Sequence, residues 1–272
     1  MVSVIIVQYN NFELTKEAIR SFRKFHTEGN YEIILADNGS KGFDGKEFEN
    51  EFPGIIIIDV KENKGFGAAN NLGAKAAKGD VLFFLNNDTL ANSEYISKVE
   101  ERFRNEAETG IIGPRLLNRD NTYQLSHGKL PSFHREMKDK AIYFMFDRKW
   151  EFPNRLLTRK FAKEQYTEWV TGAAIFIRRD LFEGIGGFDE NFFMYFEDKE
   201  LCRKVMMREK KILYFPDACL IHLKGGSSGG GNSEFTNKEY RKSQIYYYNK
   251  HRKFLERFLL KIFLKLSGKY PY

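Results

Sequence analysis

Three short stretches carry the residues best suited to chemistry. In "VLFFLNNDTL" an apolar run from Val81 to Leu85 stops at Asn86-Asn87-Asp88. "YFEDKELCRK" holds two adjacent acids, Glu197 and Asp198, and "LIHLKGG" holds His222. A divalent cation such as Mg²⁺ or Mn²⁺ takes oxygen ligands, often one or two carboxylates completed by substrate phosphates and water. A single Asp at a strand tip fits such a half-built site. It also fits a plain turn, because Asn and Asp are good turn residues. Neighbouring acids on a helix point in different directions, so only one of Glu197 and Asp198 is expected to face a reacting atom as a base. Their ordinary role would be to complement the helix dipole. A lone His beside an apolar strand is commonly structural, and His222 is a ligand candidate only in company.

Two further stretches suit a nucleotide. Asp37 closes "YEIILAD" just before "NGS", where a carboxylate either caps a turn or accepts hydrogen bonds from a base edge or a ribose. "ENKGFGAANNLG" is a glycine-punctuated loop opening a helix, and backbone amides there can approach a diphosphate closely. "GFGAAN" has Asn70 where the dinucleotide fingerprint has its third glycine, and it follows the third strand instead of the first. Both departures argue against a dehydrogenase. A sugar-nucleotide pyrophosphorylase would carry its glycine loop after strand one, where this chain reads "VQYNN".

The elements that must position these residues follow from periodicity. "VSVIIVQY", "YEIILAD", "IIIIDV" and "DVLFFL" are apolar runs of the kind found in strands buried on both faces. Between them, "ELTKEAIRSFRKF" places Leu14, Ala18, Ile19 and Phe22 on one helical face, and a small-residue helix runs towards Gly79 as its expected C-terminal glycine. Strand–helix alternation at this spacing predicts right-handed βαβ units and a mostly parallel sheet, with ligands at the carboxyl ends of its strands. Residues 118–168 show no clean period. "FTNKEYRKSQIYYYNKHRKFLERFLLKIFLKL" reads as one long helix or two shorter ones, and no internal repeat is present.

Composition sets outer bounds. The 272 residues are 42% hydrophobic and 30% charged, ordinary values for a globular chain. Cys202 and Cys219 form no CxxC pair, so reduced thiols in a cytosolic protein are expected. The N-terminal apolar run is too short for a leader or a span. The net charge is +7, but residues 238–272 contain ten Lys or Arg against two Glu. The basicity therefore belongs to that segment and gives no reason to expect a nucleic-acid partner.

Taken in order, "VSVIIVQYN", "ADNGS", "NKGFGAANNLG", "FLNNDTL", "WVTGAAIFIRRDLF", "GGFDENFFMYFEDKELCRKV" and "IHLKGGS" resemble the inverting, nucleotide-sugar-dependent glycosyltransferases of family 2, most closely a rhamnosyltransferase-like branch. The resemblance covers roughly residues 2–230. It implies an α/β GT-A fold, a Rossmann-like, mostly parallel central sheet flanked by helices. It implies a catalytic domain over 1–234, with a nucleotide-binding half to about 115 and an acceptor half from about 116. Residues 235–272 would then be a basic amphipathic helical tail. By the same resemblance Tyr9 and Asp37 line the nucleoside pocket, and Asn63, Gly65 and Asn70 run along the ribose and diphosphate. Asn86-Asn87-Asp88 stands at the DxD-type motif, with Asp88 the metal ligand and Asn86 replacing the first Asp, turned to the ribose. Asp198 is the general base, supported by Glu197; Trp169 and Gly172 belong to the acceptor side; His222 completes the shell of a Mg²⁺ or Mn²⁺ ion. The implied donor is dTDP-rhamnose, with UDP-sugars as the alternative, and the implied acceptor is a saccharide or lipid-linked saccharide of cell-surface polysaccharide synthesis. Lys250, Lys253, Arg257, Lys261 and Lys265 recur three or four apart on one basic helical stripe, so residues 250–272 either pack on the catalytic domain or make peripheral contact with an anionic membrane surface. The implied location is cytoplasmic, at the inner face of the plasma membrane. The glycine- and serine-rich 224–233 stretch has the composition of a lid. A binding module that has lost catalysis is the other reading; retention of both "FED" and "IH" argues against it.

Overall fold

A computed structural model describes residues 1–28, 30–138, 159, 162–223 and 234–271. The expected lid stretch and the central part of the 118–168 region lie outside the described residues. Strands β1 (Val2–Gln8), β2 (Tyr31–Asp37), β3 (Ile56–Asp59) and β4 (Val81–Asn86) pair in parallel in the order β3-β2-β1-β4. Alternate side chains explain the continuous apolar runs. Val2, Val4 and Ile6 of β1, with Val81, Phe83 and Leu85 of β4, enter the core on one face; Ile5, Leu82 and Phe84 enter the core on the other. β3 is the edge strand and is only half-buried.

Helix α1 (Phe12–Phe25) lays Ala18, Ile19 and Phe22 on the first face. Helix α3 (Phe66–Ala76), which follows α2 (Gly45–Glu51), covers the second. Its small residues are a packing requirement: a Cβ on Gly73 would stand 2.5 Å from Ile5 Cγ2. Gly79 does not cap this helix. The helix stops at Ala76, and Gly79 instead donates its N–H to Ser3 Oγ at 2.8 Å beside the start of β1.

Beyond β4 the sheet is mixed. After β5 (Thr89–Ala91) and α4 (Ile96–Asn105) come β6 (Thr109–Leu117), β7 (Tyr123–Gln124), β8 (His127–Gly128), β9 (Gln165–Thr167), β10 (Trp169–Val170) and β11 (Ala174–Arg178). They are followed by α5 (Arg179–Gly184), α6 (Glu197–Met206) and β12 (Lys211–His222). The main sheet continues β4-β11-β6-β12-β5, with β11 antiparallel to both neighbours and β12 parallel to β6. The fold is thus GT-A-like α/β, parallel at its nucleotide end. Strand order reverses between β1 and β4, and in such sheets the crevice at that point, beyond the carboxyl ends, is where ligands bind.

The C-terminal segment forms two helices, α7 (Glu234–His251) and α8 (Phe254–Leu266). α7 packs on the body: Tyr247 and Tyr248 are fully buried in a third cluster with Phe192, Phe196, Leu260 and Leu264. Ser243 Oγ donates to the Met194 carbonyl at 2.8 Å, and Lys250 Nζ pairs with Asp189 at 2.6 Å and Glu200 at 2.8 Å. Lys250 is therefore not part of a free basic stripe. No described helix is long and apolar enough to cross a membrane, and both cysteines are free.

Candidate active site

Two adjoining cavities open at the carboxyl ends of β1 and β4. The first, about 370 Å³, is lined by Tyr9, Asn38, Asn63, Gly65, Asn86 and Asn87 with Phe193 and Phe235. The second, about 440 Å³, is lined by Asn86, Asp88, Trp169, Gly172, Glu197, Asp198 and His222 with Tyr195 and Tyr240. Phe66, Asn86 and Met194 line both. A larger cavity of about 670 Å³ lies at the opposite strand ends, around Met1 and Arg178, and holds none of these residues.

The wall of the first cavity is built by one amide. Asn38 Oδ1 accepts from the Lys64 N–H at 3.0 Å, and its Nδ2 donates to Asn63 Oδ1 at 3.0 Å and to the Gly65 carbonyl at 3.3 Å. The end of β2 is thereby tied to the glycine loop. Gly65 itself has φ +88° and ψ 169°, a region only glycine occupies without strain. A Cβ there would stand 2.3 Å from the Phe193 carbonyl oxygen, while the Phe66 N–H donates to that same oxygen at 2.9 Å. Gly65→Ala is expected to lose about 1–3 kcal/mol of stability. Urea unfolding measures this, and an unchanged midpoint would show that the loop tolerates a side chain.

Asp37 is buried and already engaged. Its Oδ1 accepts from Gln8 Nε2 at 2.9 Å and its Oδ2 from the Ser40 N–H at 2.9 Å, so Asn38, not Asp37, lines the cavity. Asn70 is buried within α3, bonded to the Phe66 carbonyl at 3.0 Å. The Asn87 side chain turns to Thr15 Oγ1 at 3.1 Å, on α1. Tyr9, Asn63, Gly65 and Asn86 do come together around the cavity.

Asp88 and His222 are brought together by a ladder. β5 pairs antiparallel with the end of β12, setting His222 opposite Thr89, and the Leu223 N–H donates to the Asp88 carbonyl at 2.8 Å. His222 Nε2 then stands 3.3 Å from Asp88 Oδ1. Two donors each about 2.1 Å from one ion sit at such a separation. Beside them, Asn86 Oδ1 is buried and has no hydrogen-bond partner among the described residues. This buried oxygen and nitrogen set fits a hard divalent cation. Among the described residues no cluster of three or more His, Cys, Asp or Glu forms a complete cage, so a diphosphate would have to supply further ligands.

Glu197 and Asp198 open α6, held by a strained approach. Tyr195 and Phe196 both have positive φ, +67° and +68°, which costs of order 1–3 kcal/mol each for non-glycine residues. The Tyr240 ring of α7, 5.3 Å from each of their rings, packs against this turn. Asp198 Oδ2 accepts from the Gly172 N–H at 3.1 Å, and Lys199 Nζ lies 3.2 Å from Oδ1 and 4.5 Å from the centre of the Trp169 ring. Burial, and then the adjacent Asp198 carboxylate, push the Glu197 carboxyl well above its ordinary value, and its Oε2 has no hydrogen-bond partner among the described residues. Glu197 is thereby the member of the pair driven towards its neutral form.

Residues 3–186 match the sequence profile of Glycosyl transferase family 2. The chain belongs to this family. It is 25% identical over 237 residues to the N-acetylglucosaminyl-diphospho-decaprenol L-rhamnosyltransferase of Mycobacterium tuberculosis, covering 83% of this chain and 77% of that protein. It is 24% identical over 253 residues to the rhamnosyltransferase WbbL of Escherichia coli, covering 89% of each. The fold is similar to that of the Pyrobaculum calidifontis mannosyltransferase PcManGT in complex with GDP-Man and Mn²⁺, at TM-score 0.63 and 15% identity over 92% of this chain. It is also similar to that of GalNAc-T7 with UDP, GalNAc and Mn²⁺, at TM-score 0.64 and 18% identity over 91%. This chain spans 63% and 49% of those two structures. In this family 2 chain, sequence reasoning missed Asn38, although it stands inside "ADNGS". It also missed Phe193 and Met194, which stand inside "GGFDENFFMYFEDKELCRKV", and Phe235 and Tyr240, for which local pattern offers no signal.

Proposed function

We propose that the chain is an inverting glycosyltransferase that moves rhamnose from dTDP-rhamnose to a saccharide or lipid-linked saccharide. The observation that carries this reading is the shared wall of the two cavities, with a glycine loop on one side and a positioned carboxylate on the other. The nucleotide lies in the first cavity, its base against Tyr9 and Asn38, its ribose near Asn86 and its diphosphate along Asn63 and Gly65. Asp37 acts behind this wall by fixing the β2 turn. The acceptor enters the second cavity, against Trp169 and Tyr240.

Asp198 takes the acceptor hydroxyl proton as that oxygen bonds to the sugar C1. The C1–O bond to the diphosphate breaks on the opposite face, so the anomeric centre inverts, through an oxocarbenium-like transition state by analogy with glycoside hydrolysis. Gly172 and Lys199 hold the Asp198 carboxylate in one orientation for this transfer. Asp88 and His222 would hold a Mg²⁺ or Mn²⁺ ion, which when bound offsets negative charge on the leaving diphosphate. The rhamnosyl donor rests on the similarity to the two rhamnosyltransferases. A screen of nucleotide sugars with and without Mn²⁺, read as release of nucleoside diphosphate and transfer to saccharide acceptors, tests the reading. Release from no nucleotide sugar would overturn it in favour of a binding module.

The proposed location is an anionic membrane surface reached through α8. Leu260 and Leu264 seat that helix on the body, while Phe254, Leu255, Phe258, Leu259, Ile262 and Leu266 remain 37–86% exposed. Lys253, Lys261, Lys265 and Lys269 are exposed alongside them. Basic amphipathic helices of this kind lie in the lipid interface. Co-sedimentation with phosphatidylglycerol vesicles is expected for the full chain and strongly reduced for Phe254→Ser/Phe258→Ser. Equal binding by the two proteins would refute the contact.

A further inference from the structure

The buried amide of Gln124 has no part in the reaction above, yet its placement is tightly specified. It lies on β7, the short strand antiparallel to β6, where Gln124 is opposite Leu116. Its side-chain Nε2 donates to Asn118 Oδ1 at 2.9 Å and to the His222 carbonyl at 3.4 Å. Asn118 is itself oriented, since its Nδ2 donates to Thr122 Oγ1 at 2.9 Å. With both acceptors facing the nitrogen end, the amide can turn only its carbonyl oxygen to the remaining neighbour. That neighbour is His222 Nδ1, at 2.6 Å.

A carbonyl oxygen can only accept, so the proton of a neutral His222 must sit on Nδ1. The other ring nitrogen, Nε2, then carries its lone pair towards Asp88, 3.3 Å away. We propose that Gln124 is a positioning residue that fixes the His222 ring and its Nδ1–H tautomer, leaving Nε2 open as a ligand atom beside Asp88. Resting on the divalent-cation reading of Asp88 and His222, the role extends that site by a relay Thr122–Asn118–Gln124–His222. Its members come from the β6–β7 turn, from β7 and from the far end of β12. The hydrogen-bond partner on the second nitrogen of a ligating histidine selects the tautomer, and its loss typically lowers metal affinity 10- to 100-fold.

The test has two independent readouts. The first is the protonation pattern of His222, read from long-range ¹⁵N–¹H spectra of the full chain without metal at about pH 8.5, well above the ordinary histidine value, and assigned by its loss in His222→Ala. The expected signal is a proton on Nδ1 alone in the wild type, a mixture of tautomers in Gln124→Met, and Nδ1–H retained in Gln124→Glu, which keeps the acceptor. A proton on Nε2 in the wild type overturns the proposal. The second is the Mn²⁺ affinity, measured with thymidine or uridine diphosphate present: Gln124→Met is expected to lose about 10- to 100-fold and Gln124→Glu to stay near wild type. Wild-type affinity in Gln124→Met overturns the proposal. Wild-type affinity in His222→Ala overturns the underlying metal site instead, which separates the two failures. Thermal midpoints of both Gln124 variants distinguish loss of the relay from loss of the fold.

Discussion

Asp198→Asn is expected to bind nucleotide sugar normally and to lose transfer by about 10²–10⁴-fold, the usual contribution of a positioned base. Asn keeps the shape of the side chain and an oxygen for the Gly172 N–H, 3.1 Å away in the parent. What it removes is the ability to take a proton. Glu197→Gln provides the contrast. Because burial and the Asp198 charge push the Glu197 carboxyl well above its ordinary value, an uncharged amide resembles the state it replaces, and activity should fall within about tenfold of the parent. Initial rates of both purified variants decide the matter. Full transfer activity in Asp198→Asn would sink the base assignment, and a loss in Glu197→Gln as large as in Asp198→Asn would move the role to the pair.

The second large effect concerns Asp88. Asp88→Ala is expected to abolish the metal-dependent part of nucleotide binding, exceeding the roughly 10–100-fold typical of losing an outer-shell partner. The carboxylate is buried, with His222 Nε2 3.3 Å from one of its oxygens. Its removal leaves one nitrogen and the neutral Asn86 oxygen, with no carboxylate to hold a hard cation. Calorimetric titration of thymidine diphosphate with and without Mn²⁺ separates the two contributions. Nucleotide affinity that rises equally with Mn²⁺ in Asp88→Ala and in the parent would remove Asp88 from the metal site.

The ionic character of the site follows from a substitution already present in the sequence. By the family resemblance Asn86 stands where a two-carboxylate motif would have its first acid, and the strand tip carries the single carboxylate of Asp88. Asn86 Oδ1 is nevertheless buried without a partner among the described residues and lines both cavities. A neutral oxygen there can meet a ribose hydroxyl without the repulsion that a second carboxylate would exert on a diphosphate. Crowding acts likewise at Glu197–Asp198, where burial and the neighbouring carboxylate drive the Glu197 carboxyl towards its neutral form.

The C-terminal helices show how a local reading and a packed structure diverge. A basic, aromatic-rich segment from 235 onwards reads as a tail because nothing nearby in sequence partners it. In the structure α7 closes the site: Phe235 lines the first cavity, Tyr240 the second, and Ser243 holds the Met194 carbonyl. The turn at Tyr195–Phe196, just before Glu197, keeps its positive φ values against the Tyr240 ring of this helix. Only α8 keeps the amphipathic exposure that the sequence pattern suggested, and Lys250 leaves the basic stripe for an ion pair with Asp189 and Glu200.

The sequence by itself determined the parallel βαβ half and the chemical types available at each strand end. Apolar runs such as "VSVIIV" and "DVLFFL" can be buried only as strands covered on both faces, and Gly65 occupies a conformation that other residues resist. Those are local properties, carried by periodicity and backbone preference. Tertiary structure alone decided which of these residues meet. The β5–β12 ladder brings His222 to Asp88 across more than a hundred residues, the β2 turn presents Asn38 to the first cavity with Asp37 bonded behind it, and the Gly172 N–H selects an oxygen of Asp198. Each is a matter of long-range register and packing, set by the whole core at once and therefore absent from any window of sequence.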